Sequence, residues 1–221
     1  MTLDTRRGLW IYSLLYSLAW ILAMKIVDLA PIGPYKTTVG MATMNQWFRN
    51  LLHYDAEIGY YKLIFSITKI LAWIALGGCA SWIVVGIIQW IKERSFKGVD
   101  FTIIATLAVY GIEIITWLVF KLIKINYGPV ILPGRPYPNH TFPSLLCMHF
   151  ICSMGTTIYM IGFFLEERKK LVLILRIPCI IVMAAGFICC TISGINWLSD
   201  IIASILFSVT LLLEYSFFAE V

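Results

Sequence analysis

The stretch FTIIATLAVYGIEIITWLVF at residues 101–120, followed by KLIKINYGP at residues 121–129, decides the fold of this chain. Its first part is an apolar run with one acidic residue, Glu113, and it is long enough to cross the roughly 30 Å hydrocarbon core of a bilayer as a helix. Its second part is polar and ends in Gly-Pro, which indicates that the helix stops there. The stretch therefore predicts a membrane-spanning helix that ends in basic residues at one membrane surface.

Comparable runs occur along the whole chain, which has 221 residues, 60% of them hydrophobic and 13% charged. An ordinary soluble domain is about 45–50% apolar and about 25% charged. We therefore expect an all-α, polytopic membrane bundle of about six transmembrane helices in a single domain over residues 1–221. The predicted spans lie at about 8–30, 65–90, 101–123, 143–165, 171–192 and 197–218.

The longest connection, residues 31–64, contains a segment with the apolar spacing of a helix face. We predict a short amphipathic, interfacial helix at about 41–53. Two roles stay open for it, a helix that packs on the bundle or a lid over a lipid site.

The net charge of +5 is concentrated in loops, not in a basic patch interleaved with aromatic residues, so no nucleic-acid partner is expected. The tight loops 91–100 and 166–170 are basic, and basic loops stay on the cytoplasmic side. We therefore expect a multi-pass protein of the cell membrane with both termini cytoplasmic. The six cysteines lie mostly inside apolar runs, so we expect no metal site, and nothing indicates a cofactor.

Polar residues collect in three segments that this topology brings to the outer face: the end of the third span, the loop 126–144, and residues 193–200. Pro143 is placed where the first residue of the fourth span would be. Free N–H groups at that helix start, with a nearby lysine, would suit an anion. The alternative is that these are ordinary loops of one membrane face.

The first two segments resemble motifs of the type 2 phosphatidic acid phosphatase superfamily of membrane lipid phosphatases. The family's first motif is Lys, six residues, then Arg-Pro, and here Lys121 precedes Gly128-Pro129 with that spacing. The second motif is Pro-Ser-Gly-His, and here Ser144 is followed by Leu145-Leu146. Glycine thus replaces the arginine, and Leu146 replaces the histidine.

The third segment resembles the third motif, which is Ser-Arg, five residues, His, three residues, Asp. Here Cys189-Cys190 replaces Ser-Arg, Asn196 replaces the histidine, and Asp200 is retained. Further likeness at residues 28–45, 126–130 and 196–202 is to a bacterial subgroup of small phosphatases in this superfamily, which implies a bacterial inner membrane.

The resemblance implies a site that has lost its chemistry. In the family, the third-motif histidine attacks phosphorus and the second-motif histidine protonates the leaving oxygen; Asn196 and Leu146 can do neither. The two arginines that would hold the phosphate are replaced by Gly128 and Cys190, and Asp200 no longer has a histidine to orient. The loss of a general acid typically costs about 10²–10⁴-fold, and the loss of the nucleophile costs more.

Four residues remain as phosphate-binding candidates: Lys121, Ser144, Arg135 and His140. Lys121 has an alternative role as the ion-pair partner of Asp200. Elsewhere, we expect a structural role for His149. Glu113 is either functional, as intramembrane carboxylates often are, or paired with Lys69 or with a hydroxyl group of another helix.

Three functions follow as hypotheses. The first is a catalytically inactive, phosphatase-like protein that binds membrane lipids, in particular a lipid phosphate, or a membrane-protein partner. The second is an active lipid phosphatase with a rebuilt site, for which His140 is the candidate nucleophile. The third is a lipid-transport or scramblase-like protein.

Overall fold

The computed structural model describes residues 3–54 and 57–219, which fold into seven α-helices joined by loops and two short 3-10 turns. The helices are α1 (Leu3–Ile26), α2 (Ala42–Leu52), α3 (Lys62–Glu93), α4 (Phe101–Leu122), α5 (Leu145–Phe164), α6 (Lys169–Ile192) and α7 (Leu198–Phe218). All except α2 are long and apolar enough to cross a membrane. The predicted all-α bundle of about six transmembrane helices is confirmed.

Helix lengths match the thickness of a bilayer, with one exception. At 1.5 Å per residue, helices of 20–24 residues reach about 30–36 Å, close to the hydrocarbon thickness. The 32 residues of α3 reach about 48 Å, so α3 must tilt or extend beyond the hydrocarbon core.

Several helix boundaries differ from the sequence prediction by a few residues, and two of them have a local cause. The first span ends at Ile26, not near residue 30, because Asp28 adopts a left-handed backbone (φ 49°) that ends the helix. The carboxylate of Asp28 then accepts a hydrogen bond from the backbone N–H of Thr43 in the first turn of α2 (2.6 Å). The fourth span begins at Leu145 with Ser144 as its N-cap, so Pro143 lies before the cap and is not the first helical residue.

The bundle is built around α5. Over half of the most apolar part of α5 (56%) is buried inside the protein, whereas the corresponding fraction is 6% for α6 and 11% for α1. Met148, Phe150 and Cys152 of α5 are fully buried. The peripheral helices instead expose large apolar side chains on their outer surfaces, as expected where lipid is the solvent.

The upper end of the bundle, defined here as the end where α1, α4 and α6 finish and α3, α5 and α7 begin, brings the polar segments together. Lys25 of α1 donates to the carbonyl oxygen of Lys124, just beyond α4 (2.8 Å). The N–H of Tyr61, before α3, donates to the carbonyl oxygen of Ser193, after α6 (2.9 Å). The three segments that the sequence placed on one face are therefore neighbours.

Helix α2 occupies the predicted position of the amphipathic helix and packs on the upper end. The side chain of Asn45, which is fully buried, bonds both the Oγ (2.9 Å) and the N–H (3.0 Å) of Ser199 at the start of α7. Arg49 donates to the carbonyl oxygens of Gly194 (2.9 Å) and Gly59 (2.7 Å). These contacts agree with the packing role, and Trp47 on the opposite face is exposed.

Candidate functional site

A cavity of about 420 Å³ opens at the upper end, and it contains all four candidate phosphate-binding residues. It is called the upper cavity below. Its wall is formed by the end of α4, the loop 123–144, the start of α5 and residues 195–196 after α6. Its lining residues include Lys121, Arg135, Asn139, His140, Thr141, Ser144, Leu146 and Asn196. None of its lining residues belongs to α2, so the lid role has no support.

Two of the lining side chains carry permanent positive charge. Lys121 is exposed, and its ammonium group lies 4.9 Å from the centre of the Trp117 ring, a cation–π contact. The side chain of Arg135 is also exposed at the cavity wall, and its backbone N–H bonds the carbonyl oxygen of Leu132 (3.1 Å). Both cations are therefore free to turn toward an anion in the cavity.

His140 adds a third polar group, held in place by its neighbours. Its ring packs on that of Tyr127 (4.6 Å between centroids), and residues 127 and 140 form an isolated β-bridge. Its Nδ1 is buried without a hydrogen-bond partner in the described part of the chain. Burial, and secondly the positive charge of Lys124, lower the pKa of His140 from its ordinary value of 6.5, so the ring is neutral at pH 7.

The start of α5 forms the cavity floor. The N–H of Ser144 is used by the carbonyl oxygen of Asp200 (3.2 Å), and the Ser144 hydroxyl lies 3.6 Å from the sulfur of Cys190. The N–H groups of the first helical residues, Leu145 and Leu146, have no acceptor within the helix. Leu145 and Leu146 line the same cavity as Lys121 and Arg135, and a helix start with free amides beside two basic side chains suits an anion.

Gly128, which the sequence comparison matched to the family's first-motif arginine, is too tightly packed to carry a side chain unless its neighbours shift. A Cβ placed there would lie 2.7 Å from the Thr141 side chain and 3.3 Å from the carbonyl oxygen of Asn139. The close approach follows from the bond between the Gly128 N–H and that same carbonyl oxygen (2.7 Å). The loop therefore packs so closely around Gly128 that an arginine side chain would not fit unless its neighbours moved.

Asn196 and Cys190, the third-motif replacements, contact each other. The amide of Asn196 donates to the sulfur of Cys190 (3.4 Å). Asn196 lines the cavity, but Cys190 is fully buried behind it and does not. A carboxamide can donate hydrogen bonds to a phosphate and has no nucleophilic nitrogen.

Asp200 has protein partners, and Lys121 is not among them. Its carboxylate, fully buried, accepts hydrogen bonds from the Thr141 hydroxyl (2.6 Å) and the Asn126 amide (3.1 Å). The predicted Lys121–Asp200 ion pair is therefore wrong, because Lys121 stays at the exposed wall over Trp117. Asp200 joins both ends of the loop 123–144 to the start of α7.

Glu113 also has a partner other than the predicted ones. Its carboxylate lies 3.3 Å from Nδ1 of His149 on α5, and the two residues form an ion pair when the imidazole is protonated. Lys69, the expected partner, lies over the Phe65 ring instead (4.8 Å). The expected partners of Glu113, Lys69 or a hydroxyl group, are thus replaced by His149 in one contact between α4 and α5.

Sequence reasoning missed Asn126, Thr141 and Asn139, which position the loop around the cavity. The only signal was the retained aspartate: a carboxylate next to a membrane helix must find hydrogen-bond donors, and the adjacent loop contains amides and hydroxyls. Which of these donors the Asp200 carboxylate bonds depends on how the loop folds back, and no periodic sequence pattern predicts that fold.

No protein-family model and no curated protein sequence matches this chain. Among solved structures, the chain is similar to a transmembrane PAP2-type phosphatidylglycerolphosphate phosphatase from Bacillus subtilis, with a TM-score of 0.61. The two chains are 15% identical, and the match covers 96% of each. The fold of this chain is thus that of a PAP2-type membrane phosphatase over nearly its whole length.

Proposed function

We propose that this protein binds the phosphate group of a membrane lipid in the upper cavity and does not hydrolyse it. The observation that carries the proposal is the convergence of Lys121, Arg135, His140 and the free amides at the start of α5 on one cavity. Together these groups supply charge and directed N–H donors, which is the combination that holds a phosphate. A volume of about 420 Å³ lies within the usual range for small-ligand sites.

Residues in the wall of the same cavity support the lack of phosphate hydrolysis. Asn196 and Leu146 line this cavity, and the sequence resemblance matches them to the family's two histidines. Gly128, matched to an arginine, has no space for one unless its neighbours shift. The shared fold and the order of the degenerate motifs support membership of the phosphatase superfamily. The basic loops at the lower end support cytoplasmic termini, which would open the cavity to the outer face of a bacterial inner membrane.

The experiment measures thermal stability of the purified chain in nanodiscs with phosphatidate, phosphatidylglycerol phosphate or undecaprenyl diphosphate. At least one lipid phosphate should raise the melting temperature, because a ligand of the native state stabilises it. Arg135→Gln and Lys121→Gln should each reduce that rise. Lys62→Gln is the matched control, since Lys62 is an exposed lysine at the upper end that does not line the cavity.

Phosphate release is measured on the same samples and should stay at background. If no lipid stabilises the protein, the binding proposal fails, and the search moves to membrane-protein partners.

A second candidate is an active lipid phosphatase with a rebuilt site, favoured by the position of His140 in the wall of the upper cavity. A neutral imidazole with a free nitrogen can act as a nucleophile or base. Phosphate release well above background that disappears in His140→Ala would establish this candidate and overturn the inactive one.

A further inference from the structure

A second cavity of about 500 Å³ lies beside the upper cavity, between α3, α4 and α5, and it is called the lateral cavity below. Most of its wall is apolar, with Ala72, Leu76, Ile83 and Ile114 among the lining side chains. Trp73, Leu76 and Ile114 are also exposed on the outer surface of the bundle. Because these helices span the membrane, a ligand would enter the lateral cavity from the lipid phase.

One part of the wall is polar, the Glu113–His149 pair. The two side chains are only 8% and 16% exposed, and Nδ1 of His149 is the atom that faces the carboxylate (3.3 Å). A carboxylate in this position keeps a proton on Nδ1. Within the described part of the chain, no hydrogen bond uses Nε2 of His149, so Nε2 is the ring atom left for a ligand.

The other polar groups in this wall do not compete for that role. Tyr110 bonds the hydroxyl of Thr156 (3.0 Å), and Lys69 lies at the Phe65 ring near the top of α3. Cys79 is a buried thiol on α3, and thiols bond only weakly. The Glu113–His149 pair is therefore the strongest acceptor group that the lateral cavity presents to a ligand, and Nε2 is the acceptor atom of its imidazole.

The depth of Glu113 in the bundle and the charge of its carboxylate restrict the class of ligand that the lateral cavity can bind. Glu113 is nine residues before the end of α4, which places it about 13 Å below that end at 1.5 Å per residue. A phosphate at this depth would lose its hydration and face the Glu113 carboxylate, so it is excluded on both grounds. A hydroxyl group costs far less to bury and can donate to Nε2.

We propose that the lateral cavity binds a lipid alcohol, a neutral lipid with a free hydroxyl group, whose hydroxyl donates to Nε2 of His149 while its chains fill the apolar wall. Glu113 orients the imidazole through its contact with Nδ1. The site is separate from phosphate binding, although Trp117, Leu145 and Leu146 line both cavities and make them neighbours.

The test compares two ligands on the unaltered full chain in detergent: dioctanoylglycerol, and the same molecule with its free hydroxyl converted to a methyl ether. Both have similar chains, but only the alcohol can donate a hydrogen bond. We expect saturable binding of the alcohol by thermal shift or calorimetry, with an affinity about 3- to 10-fold above that of the ether. Equal affinities, or no saturable binding of the alcohol, would overturn the proposal.

Variants test whether the difference in affinity between alcohol and ether arises in the lateral cavity. His149→Phe preserves an aromatic ring and should abolish the difference between alcohol and ether, as should Leu76→Trp by filling the cavity. Lys62→Gln, at a residue that lines neither cavity, should preserve the difference. Because the ligand comparison uses the unaltered protein, a misfolded variant cannot rescue or hide the result. Phosphatidate binding measured in parallel reports on the upper cavity alone, so the two proposals succeed or fail separately.

Discussion

Substitution of Asp200 by alanine should destabilise the protein strongly, because this carboxylate holds the loop 123–144 to α7. It is fully buried and accepts hydrogen bonds from Thr141 (2.6 Å) and Asn126 (3.1 Å). Alanine leaves the buried amide of Asn126 and the half-buried hydroxyl of Thr141 without this acceptor, and each such group costs up to about 1–3 kcal/mol. The expected loss in the free energy of unfolding is therefore about 2–6 kcal/mol.

The assay is reversible unfolding in mixed micelles, followed by tryptophan fluorescence. Asp28→Ala is the matched control, since Asp28 is an exposed carboxylate at the same end with one backbone bond to Thr43 (2.6 Å), and its loss should cost about 1 kcal/mol. A double-mutant cycle with Thr141→Val isolates one contact, and groups in one hydrogen-bond network couple by about 0.5–3 kcal/mol.

The reasoning would be refuted if Asp200→Ala unfolded within about 1 kcal/mol of the unaltered protein. It would also be refuted by additive effects of Asp200→Ala and Thr141→Val, since independent sites add and hydrogen-bonded partners do not. Either result would mean that the carboxylate does not anchor the loop and is available for another task.

Three further predictions concern the upper cavity. Gly128→Arg restores the family's motif residue on paper, but its Cβ would lie 2.7 Å from Thr141, so we expect a loss of about 1–3 kcal/mol in the free energy of unfolding and no gain in phosphate release. His140 has a pKa below its unfolded value of 6.5 because of burial; the unfolded chain therefore binds its proton more readily, and stability should fall as pH drops below about 6.5. Melting curves at pH 7.5 and 5.5 should show a larger decrease for the unaltered protein than for His140→Gln, and equal decreases would contradict this. Arg135→Gln should weaken phosphatidate binding about 10-fold, as expected for the loss of one charge-assisted contact, and should change the melting temperature of the ligand-free protein little because Arg135 is exposed.

The sequence alone determined the architecture, because the requirement to satisfy every backbone group in lipid leaves an apolar run of about 20 residues little choice but a helix. The stretch at 101–120 is such a run, and α4 covers it fully, from Phe101 to Leu122. The motif spacing also identified Lys121 and Ser144 as neighbours, since the end of one helix and the start of the next must share a membrane face. The sequence predicted a helix boundary less accurately where a single residue determines it, as at Asp28, whose left-handed backbone ends α1.

Only the tertiary structure decided which polar groups are partners. Glu113 lies nine residues from the end of α4, yet it meets His149, which is only four residues after the start of α5. That contact depends on the relative depth and tilt of α4 and α5, and the loop between them folds back so that its Thr141 reaches Asp200. Local patterns fix each helix separately, but the relative depth of two helices is set by the packing of all of them together. The partners of Asp200 and Glu113, and the two cavities beside them, follow from that depth.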